Sequence, residues 1–289
     1  MSRDAGDGDS RAVAQRAVAE RALSVRAVHD QLAGCRDLQP GPVVDAAFRR
    51  LVRLVVDTPH EQADAVLAHP ALHDVVDDLR SLCFLGEYQL EAAWAQRIAE
   101  SDDPVAELEQ FPFAGNYRRL HAMEREAVER LAGAGGRPAR AAFVGSGPLP
   151  LTAFLLAGEG VRVDNLDRDA AALALSREVA GALGVTGLGF VQVDAGGDDV
   201  VDLVGYGLVI VAALVGRTPG EKAEVIAHVA DAMAPGALLL VRSARGLRTL
   251  LYPAVHPSAL AGLEVLGTVH PTGEVINSVI VARTAPKER

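Results

Sequence analysis

From about Arg11 to about Leu131 the apolar residues fall at helical spacing and no strand is predicted. Val44, Ala47, Leu51, Leu54 and Val55 follow a 3/4 spacing within Val43–Val56, which marks one buried helix face. Arg11–Gln31 is rich in the helix formers Ala, Arg and Glu. Pro40, Pro59 and Pro70 punctuate the pattern, and Pro42 suits the first turn of the helix that follows it. Ala71–Ala99 reads as one long helix or two, with Gly86 as the place where an interruption would fall; Pro112 and Gly115 mark a turn before a helix over Tyr117–Leu131.

Beyond a Gly/Pro connector at Gly133–Pro138 the period changes. Short apolar runs predict strands over Ala141–Val144, Val161–Leu166, Gly187–Val193, Leu208–Leu214, Ala237–Arg242, Val265–His270 and Val275–Ala282. Helices are expected over Leu151–Leu156, Ala170–Leu183 and Glu221–Met233. The nearly continuous apolar run Leu208–Leu214 is that of a strand covered on both faces. Alternating strands and helices predict an α/β, doubly wound parallel sheet. The last two strands, separated by Pro271–Gly273, are expected to form an antiparallel hairpin. The organisation expected is therefore an N-terminal helical domain over 1–132 and a Rossmann-like domain over 133–289.

Composition changes this picture little. Aromatic residues are 4% of the chain, so the core should be aliphatic. A net charge of −10 repels phosphate backbones and anionic lipid heads, which argues against nucleic-acid and membrane partners and tolerates a cationic small molecule. Cys35 and Cys83 form no C-x-x-C pair, and reduced cysteines in a cytoplasmic protein are expected. The N-terminal MSRDAGDGDS is polar, expected to be irregular, and carries no secretory pattern. The apolar stretch Ala141–Gly158 is interrupted by Gly145, Gly147, Pro148 and Pro150, so it is not expected to span a membrane. His69 and His73 flank Pro70 without an acidic helper, and no protein-bound metal is expected. A homo-oligomer stays open.

The candidate chemistry gathers at strand ends. Gly145-Ser146-Gly147 closes the first strand, where the ligand crevice of a doubly wound sheet lies. The third glycine of G-x-G-x-x-G is missing, which disfavours a pyrophosphate. Asp167, 22 residues after Gly145, stands where a carboxylate accepts ribose hydroxyls, with Asp164 and Asp169 as competitors. Asp194 ends the third strand, in position for an adenine amino group. These features suggest an adenosyl ligand and leave a nicotinamide dinucleotide open.

Longer motifs carry a resemblance. Phe143-Val-Gly-Ser-Gly-Pro-Leu-Pro-Leu-Thr152, Asp164-Asn-Leu-Asp-Arg-Asp169 and Phe111-Pro-Phe-Ala-Gly-Asn-Tyr117 resemble signatures of the nicotianamine synthases. So do Leu82-Cys-Phe-Leu-Gly-Glu-Tyr88, Ala212-Ala-Leu-Val-Gly216, Leu251-Tyr-Pro253 and His270-Pro-Thr-Gly-Glu-Val-Ile-Asn-Ser-Val279. The resemblance covers about Leu82–Arg283. It implies a sheet of the class I S-adenosylmethionine-dependent methyltransferase type, with S-adenosylmethionine as substrate. An amine would attack the γ-carbon of its aminocarboxypropyl arm and methylthioadenosine would leave, in metallophore biosynthesis. The acceptor would be another S-adenosylmethionine-derived unit or an amino acid. Glu87 is expected as the base, with Glu91 on the same helix face as its rival, and Tyr117 as a positioning hydroxyl. Gly145, Ser146, Gly147, Asp167, Asp194 and Ala212 are expected around the S-adenosylmethionine. Arg242 and Ser243 are candidates for a substrate carboxylate, while His270, Asn277 and Ser278 are read as structural. Phe113 and Ala114 stand where the family often has tyrosines. Alternatives are cyclisation to azetidine-2-carboxylate, an ordinary methyl transfer, or a binding protein without catalysis.

Overall fold

The helical period and the proline punctuation translate directly into elements. The computed structural model describes residues 4–133, 138–197, 199–216 and 218–285, with side chains from residue 12 onward. Helix α1 (Asp4–Ala33) already includes most of the stretch expected to be irregular. It turns Ala22, Val25, Val28 and Leu32 into a core shared with α2 (Pro42–Asp57) and α3 (His60–Leu67). Pro42 sits in the first turn of α2, where a missing N–H costs nothing, and Val44, Ala47, Leu51 and Val55 form its buried face.

Helix α4 (Val76–Ala99) carries the residues on which the site depends, and it runs unbroken through Gly86. Of the two alternatives the single helix holds at this point, and the glycine has a packing reason. A Cβ at Gly86 would overlap the ring of Phe48, so the glycine makes room for that side chain, sent across from α2, without breaking the helix. The short α5 (Pro104–Glu109), capped by Asp103, leads into α6 (Ala114–Ala132). The helices are not self-contained: Leu247, Leu250, Leu251 and Ile276 from the second half of the chain complete their core. The change from helices to sheet falls between Ala132 and Arg140; within the expected connector, residues 134–137 lie outside the described residues.

The sheet contains β1 (Arg140–Val144), β2 (Arg162–Asp167), β3 (Leu188–Gln192), β4 (Leu208–Val211), β5 (Leu238–Ser243), β6 (Leu263–Val269) and β7 (Ser278–Thr284). Their order is β3-β2-β1-β4-β5-β7-β6. Strands β1 to β5 are parallel, and β7 runs antiparallel between β5 and β6, as the predicted hairpin requires. Its first expected residues, Val275–Asn277, precede the strand instead of joining it. Helices α7 (Leu151–Gly158), α8 (Ala170–Ala182) and α9 (Pro219–Ala232) make the crossovers. All four residues of β4 are buried, in keeping with its continuous apolar run. The order reverses between β1 and β4, which opens a crevice beyond the carboxyl ends of those strands.

Gly86→Ala should therefore destabilise the protein by roughly 1–3 kcal/mol through overpacking against Phe48, although alanine is the better helix former. Urea unfolding of this variant alone and combined with Phe48→Leu checks it. Unchanged stability in the single variant would refute the packing explanation.

Candidate functional site

A cavity of about 950 Å³ fills the crevice and continues beneath α4 and α6. Ligand pockets run to roughly 1,000 Å³, so this one is at the large end and has room for two small molecules. The turn after β1 forms its floor. Gly145 and Gly147 have φ of 73° and 68°, a region that favours glycine. Side chains at these positions would also meet neighbours: a Cβ on Gly145 would overlap Val215, and one on Gly147 would lie 3.0 Å from Glu91 Oε2.

Asp167, at the end of β2, holds this turn. Its Oδ2 accepts from the Gly147 N–H at 2.9 Å and its Oδ1 from the Asp169 N–H at 3.0 Å. A carboxylate has about four acceptor positions, so Asp167 keeps capacity for a ligand. The two competitors are differently occupied. Asp169 caps α8 through the Ala171 and Ala172 N–H groups and accepts from Tyr88 Oη at 2.6 Å. That phenol bond is the main reason its carboxyl lies below the usual range. Asp164 pairs with Arg140 at 2.6 Å and with Tyr206 Oη at 2.8 Å, and does not line the cavity.

Asp194, Ser146 and Ala212 line the same cavity. The Asp194 carboxylate accepts from the Gly196 N–H at 3.1 Å. The Ser146 hydroxyl is buried without a hydrogen-bond partner among the described residues. The carbonyl of Ala212 is engaged by a residue that sequence reasoning missed. Lys222 is 1% exposed, and its ammonium donates to the carbonyls of Ala212, Ala213 and Val215 at 2.8, 2.7 and 3.3 Å. It clamps the loop after β4 that packs on Gly145. Burial, then the charge of Arg242, pushes Lys222 down to about 7.

Above the floor stand two acids of α4. Glu87 lines the same cavity as Gly145, so it does not point into open water. Glu91, 9% exposed, lies one helical turn further. Each gives one carboxylate oxygen to a tyrosine. Tyr117 Oη donates to Glu91 Oε1 at 2.6 Å, and Tyr252 Oη donates to Glu87 Oε2 at 2.8 Å. Tyr117 thus pairs with Glu91, not with Glu87, the acid first expected to act beside it. Tyr252 was visible in a motif but had been given no role. Burial pushes the Glu91 carboxyl up to about 8, helped by the charge of Glu87 and opposed by the Tyr117 hydroxyl and Arg242. Burial raises Glu87 too, against its Tyr252 bond and Arg242. Both phenols are held well above their ordinary range, chiefly by burial.

Arg242 corrects an expectation. It is 4% exposed, bound by Nε and Nη2 to the Glu124 carboxylate at 2.7 and 3.1 Å and by Nη2 to Thr152 Oγ1 at 2.6 Å. A guanidinium so occupied is a neutralised structural cation beside the acids rather than a clamp for substrate carboxylates. Ser243 Oγ accepts from the Val255 N–H at 2.9 Å and ties down the chain after β5. His270 and Ser278 bond each other at 2.9 Å. Among the described residues, no group of three or more His, Cys, Asp or Glu is placed to hold a metal ion, and no helix is long and apolar enough to cross a membrane.

Comparison with known proteins gives a concordant result. The family model described as nicotianamine synthase protein matches residues 14–288. Probable nicotianamine synthase 2 of Hordeum vulgare is 39% identical over 89% of this chain and 78% of its own length. Nicotianamine synthase 2 of Oryza sativa subsp. japonica is 40% identical over 91% of this chain and 82% of its own. The crystal structure of MtNAS in complex with MTA and tNA superposes with a TM-score of 0.79 at 26% identity, covering 91% of this chain and 97% of that one. A glutamate-to-glutamine mutant of MtNAS in complex with S-adenosylmethionine gives 0.77 at 26% identity, covering 92% and 98%. The magnesium protoporphyrin IX methyltransferase of Synechocystis PCC 6803 (TM-score 0.50, 17% identity, covering 73% and 98%) shares the fold.

The raised Glu91 carboxyl has a consequence for stability. Its folded value of about 8 exceeds the ordinary 4.5, so the native state binds the extra proton between those limits. Its contribution is complete at low pH and is lost as pH rises through about 8. Between pH 6 and 9, Glu91→Gln should gain on the wild type by on the order of 2 kcal/mol in urea unfolding. Parallel pH curves for the two proteins would show that Glu91 titrates normally.

Proposed function

The chain belongs to the nicotianamine synthase family, and from that premise we propose that it transfers the 3-amino-3-carboxypropyl arm of S-adenosylmethionine to an amine and releases methylthioadenosine. The observation that carries this reading is the Glu91–Tyr117 pair poised against the Gly147 turn, in a cavity with room for two substrates.

The reacting nitrogen begins as an ammonium and must lose a proton before it can attack. An ordinary carboxylate is too weak a base for that task. A buried one near 8 comes close to matching an amine and accepts its proton with little penalty. We therefore assign the base to Glu91, with Tyr117 fixing one of its oxygens, and give Glu87 a neighbouring role. The nitrogen lone pair forms a bond to the γ-carbon, the carbon–sulfur bond breaks, and its electron pair stays on sulfur in methylthioadenosine. The ammonium proton stays on Glu91. Placement alone selects the long arm over the methyl group, since both are attached to the same sulfonium.

Asp167 is proposed to accept the ribose hydroxyls and Asp194 the adenine amine. Gly145, Ser146, Gly147 and Ala212 complete this wall, with Lys222 fixing the loop behind it. In this division the sheet domain, 133–289, holds the nucleoside and the helical domain, 1–132, supplies the amine-handling acids. Phe113 lines the cavity without a hydroxyl and favours an acceptor that needs few hydrogen bonds on that side, whereas Ala114 packs in the core and does not reach it. Products that combine amines with carboxylates chelate transition metals, which supports a metallophore role. The free thiols of Cys35 and Cys83 support a reducing, cytoplasmic setting.

Incubation with S-adenosylmethionine and candidate amines should yield methylthioadenosine by mass spectrometry; S-adenosylhomocysteine instead would identify a methyltransferase. Glu91→Gln should bind S-adenosylmethionine yet lose about a hundredfold or more in turnover. In the wild type, kcat/KM should rise with pH through about 8 as Glu91 ionises, and full activity in the glutamine variant would remove the assignment. Asp167→Asn should weaken S-adenosylmethionine binding by roughly 1.5–3 kcal/mol by calorimetry, and unchanged affinity would refute the ribose contact.

A further inference from the structure

Transfer chemistry of this kind needs one base, yet α4 presents two acids of the same construction to the cavity, Glu91 buried and Glu87 half-buried. In each, one oxygen accepts from a tyrosine hydroxyl: Tyr117 for Glu91 and Tyr252 for Glu87. In each, the other oxygen has no hydrogen-bond partner among the described residues and is not sealed away, so it is free to receive a donor within the cavity they both line. Arg242 directs its Nε and Nη2 to Glu124 and Thr152, and no hydrogen bond joins it to either acid among the described residues. An ammonium set against either open oxygen would let that acid give up its proton and form a charge-assisted hydrogen bond, so the cavity suits two cationic donors.

Their spacing indicates which cations. Residues four apart on a helix rise by about 6 Å. With bonds of about 1.5 Å, two nitrogens separated by three carbons lie roughly 5 Å apart when extended. That is the separation between the attacking nitrogen and the amino group of the aminocarboxypropyl arm to which it becomes joined. It is also the separation of two nitrogens in an acceptor that already carries one such arm.

We propose that Glu87, held by Tyr252, is a second ammonium station, which binds the amino group three carbons away from the nitrogen that attacks at Glu91. The inference rests on the transfer reading above and deepens it: the pair measures the substrate in aminopropyl units. The preferred ligands are amines whose second nitrogen lies at this spacing, so that a singly extended product fits the two stations as well as its precursor. Tyr252 is a positioning residue in this arrangement, because it acts through Glu87.

The test is calorimetric binding of 2,4-diaminobutyrate and of 4-aminobutyrate, which lacks the second amine, each in the presence of methylthioadenosine. The wild type should bind the diamine about tenfold or more tightly than the monoamine. In Glu87→Gln that ratio should fall to roughly threefold or less, with Tyr252→Phe between the two. The affinity of each variant for S-adenosylmethionine alone separates the sources: a parallel loss assigns the station to the arm of the donor, and a loss confined to the diamine assigns it to the acceptor. A wild-type ratio near one, or a ratio that is the same in Glu87→Gln, overturns the proposal. The binding ratio does not require turnover. Absence of methylthioadenosine release therefore counts against the transfer reading, whereas an unchanged ratio counts against the second station.

Discussion

Two acids turned by one helix into a cavity that partly desolvates them are the constraint around which the remaining structure is arranged. Isolated carboxylates in such surroundings are costly, and proteins relieve the strain by protonation, hydrogen bonding or a compensating charge. All three devices are present. Glu91 keeps its proton to about 8, each acid receives a phenol, and the Arg242 guanidinium lies near enough to be felt. Glu124 binds that guanidinium first, so the cation tempers the acids without collapsing onto them. The chamber consequently retains an appetite for cations, and both an amine and a sulfonium are cations.

Holding such acids in place requires a rigid link between the helical and sheet halves. One side of α4 is seated on α2 through the Gly86–Phe48 contact. The other is tied to the glycine-turn side of the crevice by a short chain of hydrogen bonds. Tyr88 donates to Asp169, the Asp169 N–H donates to Asp167, and Asp167 accepts from the Gly147 N–H. Gly147 in turn lies under Glu91, so the chain returns to the helix from which it began. Glu91, the glycine turn and Asp167 are thereby referenced to one another, although they come from distant parts of the sequence. Lys222 does the same service for the loop on the far side of Gly145.

Much of the fold could be read from periodicity. The buried face of α2, the parallel strands and the terminal hairpin all follow from residue spacing and turn residues. Sequence left open whether Gly86 breaks α4, because a glycine that weakens a helix locally can be retained for a close side-chain contact that only the tertiary structure reveals. In the site, the glycine turn and the strand-end acids were legible because their positions are set by the fold. The pairing of acids and phenols was not. Glu87 and Glu91 share one helix face, and sequence could not say which would meet Tyr117, 26 residues after Glu91. Tyr252 and Lys222 escaped because their roles depend on burial and on partners 165 and about 10 residues away. Arg242 looked like a carboxylate receptor until its buried partner, Glu124, came into view.

The central claim is that the Glu91 carboxyl is poised to exchange a proton with an amine, and it can be observed without any substrate. Side-chain carbon-13 NMR of glutamate-labelled protein, assigned with Glu91→Gln, follows that carboxyl directly through a pH titration. The account predicts a midpoint of about 8 for Glu91. A midpoint near the ordinary 4.5 would contradict it, because the acid would then be too weak a base for the role assigned to it.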